Sequence, residues 1–398
     1  MSSDKKDATI AVTAGRRPED NHGVVNPPVY HASTIIHPTF EALRASSNIP
    51  AGDGVTYGVH GTPGTFAFEE AVAKLEGGFR TRLCSTGLTA VTGPLLAFLK
   101  TGDHLLVPDN CYGPTRHFSD TMLKDLGVET TYYDPEIAGG IRELIRPNTK
   151  VVFTEAPGSW TFEMQDIPAI AEEAKKAGAT VLMDNTWASP LYFKPFDHGV
   201  DVSIQAVTKY ISGHSDLVMG AVTSTKEAYP AIRNAWRALG LAASPDDVFL
   251  AMRGLRTIHT RLPRHWENGL KVAEWLMRRP EVAEVIHPAM EHDPGHALWK
   301  RDFVGASSLF AFTFTENLSS DAHMSALLDH LHHYGMGYSW GGFESLLIPV
   351  YPQARRSATV WPKPGRPKGQ TMRIHIGLED PDELIEDLKD GFERMTKV

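Results

Sequence analysis

Lys209 is the residue whose surroundings most favour chemistry. It lies five residues after the apolar run 202–204, in a stretch that continues with Ser212, Gly213 and His214. A lysine amine attacks an aldehyde to form a Schiff base, and burial lowers the pKa of the amine so that its neutral form is available. A loop at the end of a strand predicts an enclosed position, although position alone would still favour an ordinary surface lysine.

A carboxylate at the end of a neighbouring predicted strand changes that balance. Asp184 ends the predicted strand 180–183 and begins Asp184-Asn185-Thr186-Trp187. A carboxylate there can pair with the protonated nitrogen of a pyridine ring and make the ring an electron sink. The alternative is an aspartate that caps a turn, and Asp184 alone would favour it. Together, Lys209 and Asp184 favour a site for a pyridine aldehyde.

The segment Cys84-Ser85-Thr86-Gly87-Leu88-Thr89 is a loop of small residues that opens a predicted helix. Backbone N–H groups at a helix start, helped here by the hydroxyls of Ser85 and Thr86, form a seat for a phosphate dianion. A simple helix cap is the competing interpretation. The sequence contains neither a Walker motif nor a dinucleotide glycine motif, so nothing points to a nucleotide as the phosphate ligand.

Two further side chains could complete such a site. Tyr112 follows the predicted strand at 104–107 and could stack on a flat ring, although a lone aromatic residue more often belongs to a core. Arg373 alternates with apolar residues in the segment 372–377, so it should point away from the core face of its strand. A guanidinium there could bind a substrate carboxylate through two parallel hydrogen bonds, and the alternative is a surface salt bridge.

The elements that must position these residues alternate between short apolar runs and helical patterns. A helix is predicted from Thr65, with Phe68, Ala71, Val72 and Leu75 on its buried face. Strands separated by helices predict a mainly parallel sheet in an α/β domain, whose ligands bind beyond the carboxyl ends of the strands. The predicted strands cover residues 104–107, 151–154, 180–183, 202–204 and 221–223, with a helix at 168–176.

A second, smaller α+β domain is predicted from about residue 260, where a long helical pattern begins after Pro263. Its predicted elements are a half-buried strand at 309–314, a helix at 327–333, a strand at 372–377 and a last helix capped by Asp380.

The first sixty residues are rich in Pro, Gly and His, show little periodicity, and predict an extended arm that packs on something else. The expected division of the chain is therefore an arm that contacts a neighbouring subunit (1–60), a large cofactor-binding domain (61–259) and a smaller carboxyl-terminal domain (260–398).

Composition excludes several classes of partner. A balance of 39 basic and 48 acidic residues gives a net charge of -9, which argues against nucleic acid. Cys84 and Cys111 are the only cysteines, so we expect neither a disulfide framework nor a paired-cysteine zinc site. The expected location is the reducing cytoplasm. The polar first residues and the lack of a long apolar stretch predict no signal peptide and no membrane partner. The histidines at 287–296 and 332–333 lack metal-ligand spacing.

Taken together, these segments resemble the Cys/Met-metabolism family of pyridoxal-phosphate enzymes, with an aspartate-aminotransferase-like fold, and within it the β-lyase branch. The resemblance runs from about Tyr57 to the last helix. Four segments carry it: Asp184-Asn185-Thr186-Trp187, residues 208–216 around Lys209, Tyr338-Ser339-Trp340-Gly341-Gly342-Phe343-Glu344-Ser345, and Arg373-Ile374-His375-Ile376-Gly377-Leu378-Glu379-Asp380.

The resemblance implies pyridoxal 5'-phosphate as the cofactor and a role for each matching residue. Lys209 would form the Schiff base and shuttle protons, Asp184 would face the pyridine nitrogen, and Tyr112 would stack on the ring. The implied phosphate contacts are the backbone N–H groups of Gly87 and Leu88 and the hydroxyl of Thr208. For the substrate, the implied contacts are Ser339 and Arg373 on the α-carboxylate, Trp340 as a wall, and Tyr57, which would reach cofactor and substrate from the neighbouring subunit.

The implied reaction is α,β-elimination of a sulfur amino acid, in which L-cystathionine gives homocysteine, pyruvate and ammonia on the way to methionine. The run Ser339-Trp340-Gly341-Gly342 favours β- over γ-elimination. Alternatives are a broader cysteine-S-conjugate β-lyase, a γ-eliminating relative, and a regulatory protein that binds the cofactor without turnover. The resemblance also implies a homotetramer built as a dimer of dimers.

One position departs from the family pattern. Two places after Tyr57, where the family usually has a basic residue, the chain has Val59, with His60 beside it. One cross-subunit phosphate contact therefore lacks its usual cation.

Overall fold

The computed structural model describes residues 6–398, so the first five residues of the predicted arm lie outside the described part. The strands are β1 (Arg80–Cys84), β2 (His104–Pro108), β3 (Glu129–Tyr133), β4 (Thr149–Glu155), β5 (Thr180–Asp184), β6 (Val202–Ala206), β7 (Gly220–Ser224), β8 (Val282–Ile286), β9 (Leu309–Phe314), β10 (Tyr334–Gly335), β11 (Ser345–Val350) and β12 (Thr371–His375). The α-helices are α1 (Asp7–Thr13), α2 (Phe40–Ser46), α3 (Pro63–Glu76), α4 (Gly87–Phe98), α5 (Gly113–Phe118), α6 (Ile167–Lys176), α7 (Ser189–Tyr192), α8 (Tyr229–Leu239), α9 (Pro245–Leu255), α10 (Ile258–Met277), α11 (His296–Asp302), α12 (Asp321–Leu328) and α13 (Pro381–Met395).

Seven strands form the larger sheet, in the order β1-β7-β6-β5-β4-β2-β3. All neighbouring pairs are parallel except those of β7, which is antiparallel to both β1 and β6. The chain passes from β6 to β7 without an intervening α-helix, whereas α6 lies between β4 and β5 and α7 lies between β5 and β6. The predicted α/β fold with a mainly parallel sheet is confirmed.

Both faces of this sheet are covered, which explains the continuous apolar runs of its strands. On β5, Val181 and Met183 pack in one core with Phe68 of α3. Leu182, between them, packs in a second core on the other face with Trp236 of α8. All five predicted strands are confirmed. The pattern did not predict β1 and β3, the two edge strands, whose sequences Arg-Thr-Arg-Leu-Cys and Glu-Thr-Thr-Tyr-Tyr contain few aliphatic residues.

The predicted helices of the larger sheet are also present. α3 buries Phe68, Ala71, Val72 and Leu75 and is followed by Gly77, which caps its end in a left-handed conformation with φ of 77°. α6 begins one residue before its predicted start and ends as predicted at Lys176.

The second sheet has five strands in the order β10-β11-β12-β9-β8. The prediction that residues 309–314 form a half-buried strand was wrong in its burial, because all six residues of β9 are buried between two layers. The predicted helix at 327–333 was wrong in its extent, because α12 ends at Leu328. The carboxylate of Asp387 accepts hydrogen bonds from the backbone N–H groups of His332 and His333, which holds that segment out of the helix.

The long helix α10 begins before Pro263 rather than after it. Ile258 and Leu262 are fully buried, so packing of the first turn keeps the chain helical ahead of the proline. The last helix is capped as predicted, with the Asp380 carboxylate accepting a hydrogen bond from the N–H of Asp382 at 2.8 Å. The division into an arm and two domains, with a boundary near residue 260, stays our proposal.

Candidate active site

A cavity of about 530 Å³ opens at the carboxyl ends of β4, β5 and β6. The sequence-predicted residues that line it are Thr86, Gly87, Leu88, Tyr112, Asp184, Thr208, Lys209, Ser339, Trp340 and Arg373. Residues far apart in the chain therefore meet in one place. Ser85 is exposed and does not line the cavity, nor does Tyr57, whose side chain is 49% exposed.

Lys209 occupies the turn that follows β6. Its Nζ donates a hydrogen bond to Ser339 Oγ and lies 5.2 Å from the centroid of the Trp340 ring. Burial lowers the pKa of Lys209 to about 8, and the charge of Arg373 acts in the same direction. The amine is thus far easier to deprotonate than a surface lysine.

The loop 339–342 reaches Lys209 because two residues adopt left-handed backbone conformations. Ser339 has φ of 80° and Gly341 has φ of 84°. A Cβ at position 341 would lie 3.0 Å from the Cα of Lys209, so glycine permits the close approach. His375 Nε2 lies 3.1 Å from the N–H of Gly341, which ties the loop to β12.

Asp184 is the last residue of β5 and faces the cavity. Its Oδ1 accepts hydrogen bonds from the N–H of Thr186 at 3.0 Å and from the Thr186 hydroxyl at 2.5 Å. Burial raises the pKa of Asp184, while the Thr186 hydrogen bonds and the charge of Lys209 oppose the rise. Asp184 can therefore cap the turn through Oδ1 and still face a ring nitrogen, because Oδ2 is left to accept a hydrogen bond from a group in the cavity.

Glu155, at the end of β4, is a cavity residue that sequence reasoning missed. Its Oε2 accepts a hydrogen bond from the N–H of Tyr112 at 2.7 Å. Burial raises its pKa well above the usual range, and the charge of Asp184 adds to the shift. The sequence could have predicted this position, because Glu155 directly follows the predicted strand 151–154, just as Asp184 follows the next predicted strand.

The first turn of α4 lines the cavity with Gly87 and Leu88. Thr86 caps the helix, its Oγ1 accepting a hydrogen bond from the N–H of Thr89 at 2.9 Å. The N–H groups of Gly87 and Leu88 belong to the first turn, where no helix carbonyl is available to accept them. Thr208 Oγ1 lies 3.0 Å from the N of Met219 and accepts its hydrogen bond. The cap interpretation of Thr86 is correct, and it leaves the neighbouring amides available for an anion.

Arg373 is 8% exposed and projects from β12 into the cavity. Its Nη2 donates to the carbonyl oxygens of Ser339 at 3.0 Å and Gly337 at 3.3 Å. Burial lowers its pKa to about 10. No carboxylate among residues 6–398 forms an ion pair with it, so the surface salt bridge weighed as the alternative was wrong.

Residues 6–398 contain no cluster of three or more His, Cys, Asp or Glu side chains that could hold a metal ion. No helix in the same range has the length and apolar character needed to cross a membrane.

One cavity at the carboxyl edge of a mainly parallel sheet brings together a lysine, a partly buried carboxylate and the start of a helix. This arrangement defines a class, the pyridoxal-phosphate enzymes of aspartate-aminotransferase-like fold. The donor set fits the cofactor, since an amine of lowered pKa, a carboxylate and backbone amides match its aldehyde, ring nitrogen and phosphate. The chain belongs to the family "Cys/Met metabolism PLP-dependent enzyme", whose model matches residues 8–393.

Individual relatives match nearly the whole chain. It is 50% identical to a Rhizobium johnstonii protein provisionally named a cystathionine beta-lyase, over 96% of this chain and 95% of that one. It is 41% identical to the cystathionine beta-lyase of Salmonella typhimurium, over 99% and 100%. A crystal structure of cystathionine gamma synthase from Xanthomonas oryzae superposes with a TM-score of 0.89 at 32% identity, covering 99% of both chains.

Proposed function

We propose that the protein is a carbon–sulfur β-lyase that converts L-cystathionine to homocysteine, pyruvate and ammonia, as a step toward methionine. The observation that carries the proposal is the meeting of Lys209, Asp184 and Arg373 in one cavity. The names of the relatives at 41% and 50% identity support β-elimination of cystathionine over the γ-chemistry of other members.

The cofactor's chemistry sets what the chain must do. When bound, pyridoxal phosphate supplies an aldehyde that condenses with amines and a ring that withdraws electrons from the α-carbon. Lys209 would hold the aldehyde and Asp184 the ring nitrogen. Tyr112 would cover one ring face. The phosphate would take the amides of Gly87 and Leu88, with the hydroxyls of Ser85 and Thr208 turning from their present positions to reach it.

Lys209 is the base we assign to the α-proton. A pKa of about 8 leaves a useful fraction of neutral amine near neutral pH, as an efficient general base requires. The Ser339 hydroxyl holds Nζ in place, and Trp340 walls the same space.

Arg373 and Ser339 are the groups we assign to the α-carboxylate of the substrate. A buried guanidinium without an ionic partner in the described chain is costly to keep, so an incoming carboxylate would gain a desolvated, charge-assisted contact. The sulfur must be protonated as it leaves, and the proton donors we assign to it are Lys209 and the Tyr112 hydroxyl, whose pKa is raised mainly by burial.

Assembly and location complete the proposal. The arm exposes Ile36 by 88% and Phe40 by 73%, an apolar surface that association would cover. We propose a homotetramer, a dimer of dimers, in which Tyr57 reaches the site of a neighbouring subunit. The cytoplasm is the proposed location, consistent with the free, buried Cys84 and Cys111.

Product analysis tests the reaction. Purified protein loaded with cofactor and given L-cystathionine should release pyruvate and homocysteine in equal amounts. Release of 2-oxobutyrate and cysteine would establish γ-elimination instead. Faster pyruvate release from other cysteine S-conjugates would favour the broader β-lyase, and cofactor absorbance without any product would favour a regulatory protein. Borohydride reduction should fix the cofactor on Lys209, and not on the surface residue Lys175.

A further inference from the structure

A second arginine lines the cavity and has no role in the proposed reaction. Arg355 is exposed and lies in the segment after β11, next to Arg356. Within residues 6–398 it has neither a hydrogen bond nor an ion pair, whereas Arg356 donates to Glu163 and Thr161 at 2.6 Å. The two adjacent arginines therefore differ in what they do.

The guanidinium of Arg355 packs against the Trp160 ring and the backbone of Gly113 rather than against a carboxylate. Its Cζ lies 4.4 Å from the centroid of the Trp160 ring. Its Nη1 lies so close to Gly113 that a Cβ there would be 1.6 Å away. Trp160 itself has φ of 66°, a backbone conformation that non-glycine residues adopt at a cost. These contacts orient the cation without neutralising it.

The segment that carries Arg355 is pinned on its far side. Asp109 accepts hydrogen bonds from the N–H groups of Ser357, Ala358 and Thr359. Asp109 and Glu163, the buried carboxylates packed against this segment, are also paired with Arg116 and Arg356. Both acids are therefore already engaged, and no carboxylate of residues 6–398 forms an ion pair with Arg355.

We propose that Arg355 binds a second carboxylate on the leaving-group side of the substrate, so that the site selects thioether amino acids with an acid at each end. Arg373 would hold the α-carboxylate and Arg355 the distal one. Arginine suits this task because its planar fork matches a carboxylate and stays charged. The inference rests on the proposed function and names the substrate class of the same site.

The test compares two substrates in the cofactor-loaded protein. L-Cystathionine carries the distal carboxylate and S-propyl-L-cysteine lacks it. Arg355→Met should lower kcat/KM for cystathionine about tenfold, the lower end for a charge-assisted hydrogen bond because Arg355 is exposed. S-Propyl-L-cysteine should change by less than about twofold, within the range of ordinary surface substitutions. Arg355→Lys should fall between, and Arg142→Met, at an exposed arginine outside the cavity, should change neither substrate.

A binding measurement separates this inference from the proposed function. Calorimetry on cofactor-loaded Lys209→Ala, with and without Arg355→Met, requires no elimination. Weaker binding of cystathionine alone in the double variant supports the inference, even if the wild-type protein releases no pyruvate. An equal change for both ligands, or no change for either, overturns it whatever the outcome of the product assay.

Discussion

Glu155 and Asp184 lie directly opposite each other on the neighbouring parallel strands β4 and β5, and both line the cavity. A buried and a partly buried carboxylate so placed cannot both ionise cheaply, so one is driven toward its protonated form. The pKa of Glu155 is raised well above the usual range, by burial first and by the charge of Asp184 second. The pKa of Asp184 is raised too, but less strongly, so the pair divides into a Glu155 that favours its protonated form and an Asp184 that keeps more of the charge.

This division predicts that Glu155→Gln is nearly silent. Glutamine keeps an oxygen that can accept the Tyr112 N–H and adds no charge, so activity should stay within about threefold of wild type, or less than about 1 kcal/mol. Glu155→Ala leaves the Tyr112 amide without its acceptor, which costs about 1–3 kcal/mol. Steady-state rates and thermal unfolding of both variants check this. A large loss in Glu155→Gln would mean that the ionised carboxylate is needed.

The lowered pKa of Lys209 predicts a pH dependence for the apo-protein. Reaction of Nζ with the cofactor aldehyde should rise with pH with a midpoint near 8, because the neutral amine is the nucleophile. The folded-state pKa lies below the ordinary 10.5, so the linked stability is complete above pH 10.5 and is lost as pH falls through 8. Arg373→Met removes a charge that lowers this pKa, so its midpoint should move up. An unmoved midpoint in Arg373→Met, compared with Arg142→Met, would contradict the coupling.

Asp184→Asn should lower the elimination rate by about 100-fold or more, the loss that follows when one electrostatic contact to developing charge is removed. An amide cannot hold a proton on the ring nitrogen through a counter-charge. The cofactor should still bind, because Lys209 and the phosphate contacts remain, and absorbance titration beside single-turnover rates separates the two effects. Near-normal turnover in Asp184→Asn would return Asp184 to a turn-capping role.

The proposed crossing of Tyr57 into a neighbouring site predicts complementation. Tyr57→Ala and Lys209→Ala should each be inactive or strongly impaired as homo-oligomers. Co-expressed with different tags, they should form mixed oligomers with activity restored, because one of the two shared sites has both wild-type residues. Mixed oligomers that form but stay inactive would show that Tyr57 serves its own subunit.

Val59→Arg should tighten cofactor binding and slow its release, with little effect on elimination. A guanidinium to a phosphate contributes about 1.5 to 3 kcal/mol, roughly tenfold to hundredfold in a dissociation constant. His60 is a poor substitute, because burial and the charges of Arg237 and Arg82 lower its pKa and disfavour its charged form. Titration of apo-protein with cofactor measures this, with Val304→Arg at another exposed valine as the control. Unchanged or weaker affinity would mean that another cation already serves the phosphate.

The sequence by itself was sufficient for the fold class, the family and the cofactor. Strands buried on both sheet faces, such as the one with Val181, Leu182 and Met183 in succession, are recognisable without coordinates because successive residues on both faces are apolar. Asp184 was recognisable because it directly follows such a strand, and Lys209 because it lies five residues after another, since strand ends converge at one sheet edge.

Only the tertiary structure decided what depends on contacts between distant segments. The engagement of Asp387 with residues 332–333, which ends α12 early, joins residues more than fifty positions apart. The facing of Glu155 and Asp184 requires the register of β4 on β5, which no local pattern encodes. The contrast between Arg355 and Arg356, alike in sequence, arises because Glu163 can pair with only the side chain that points toward it.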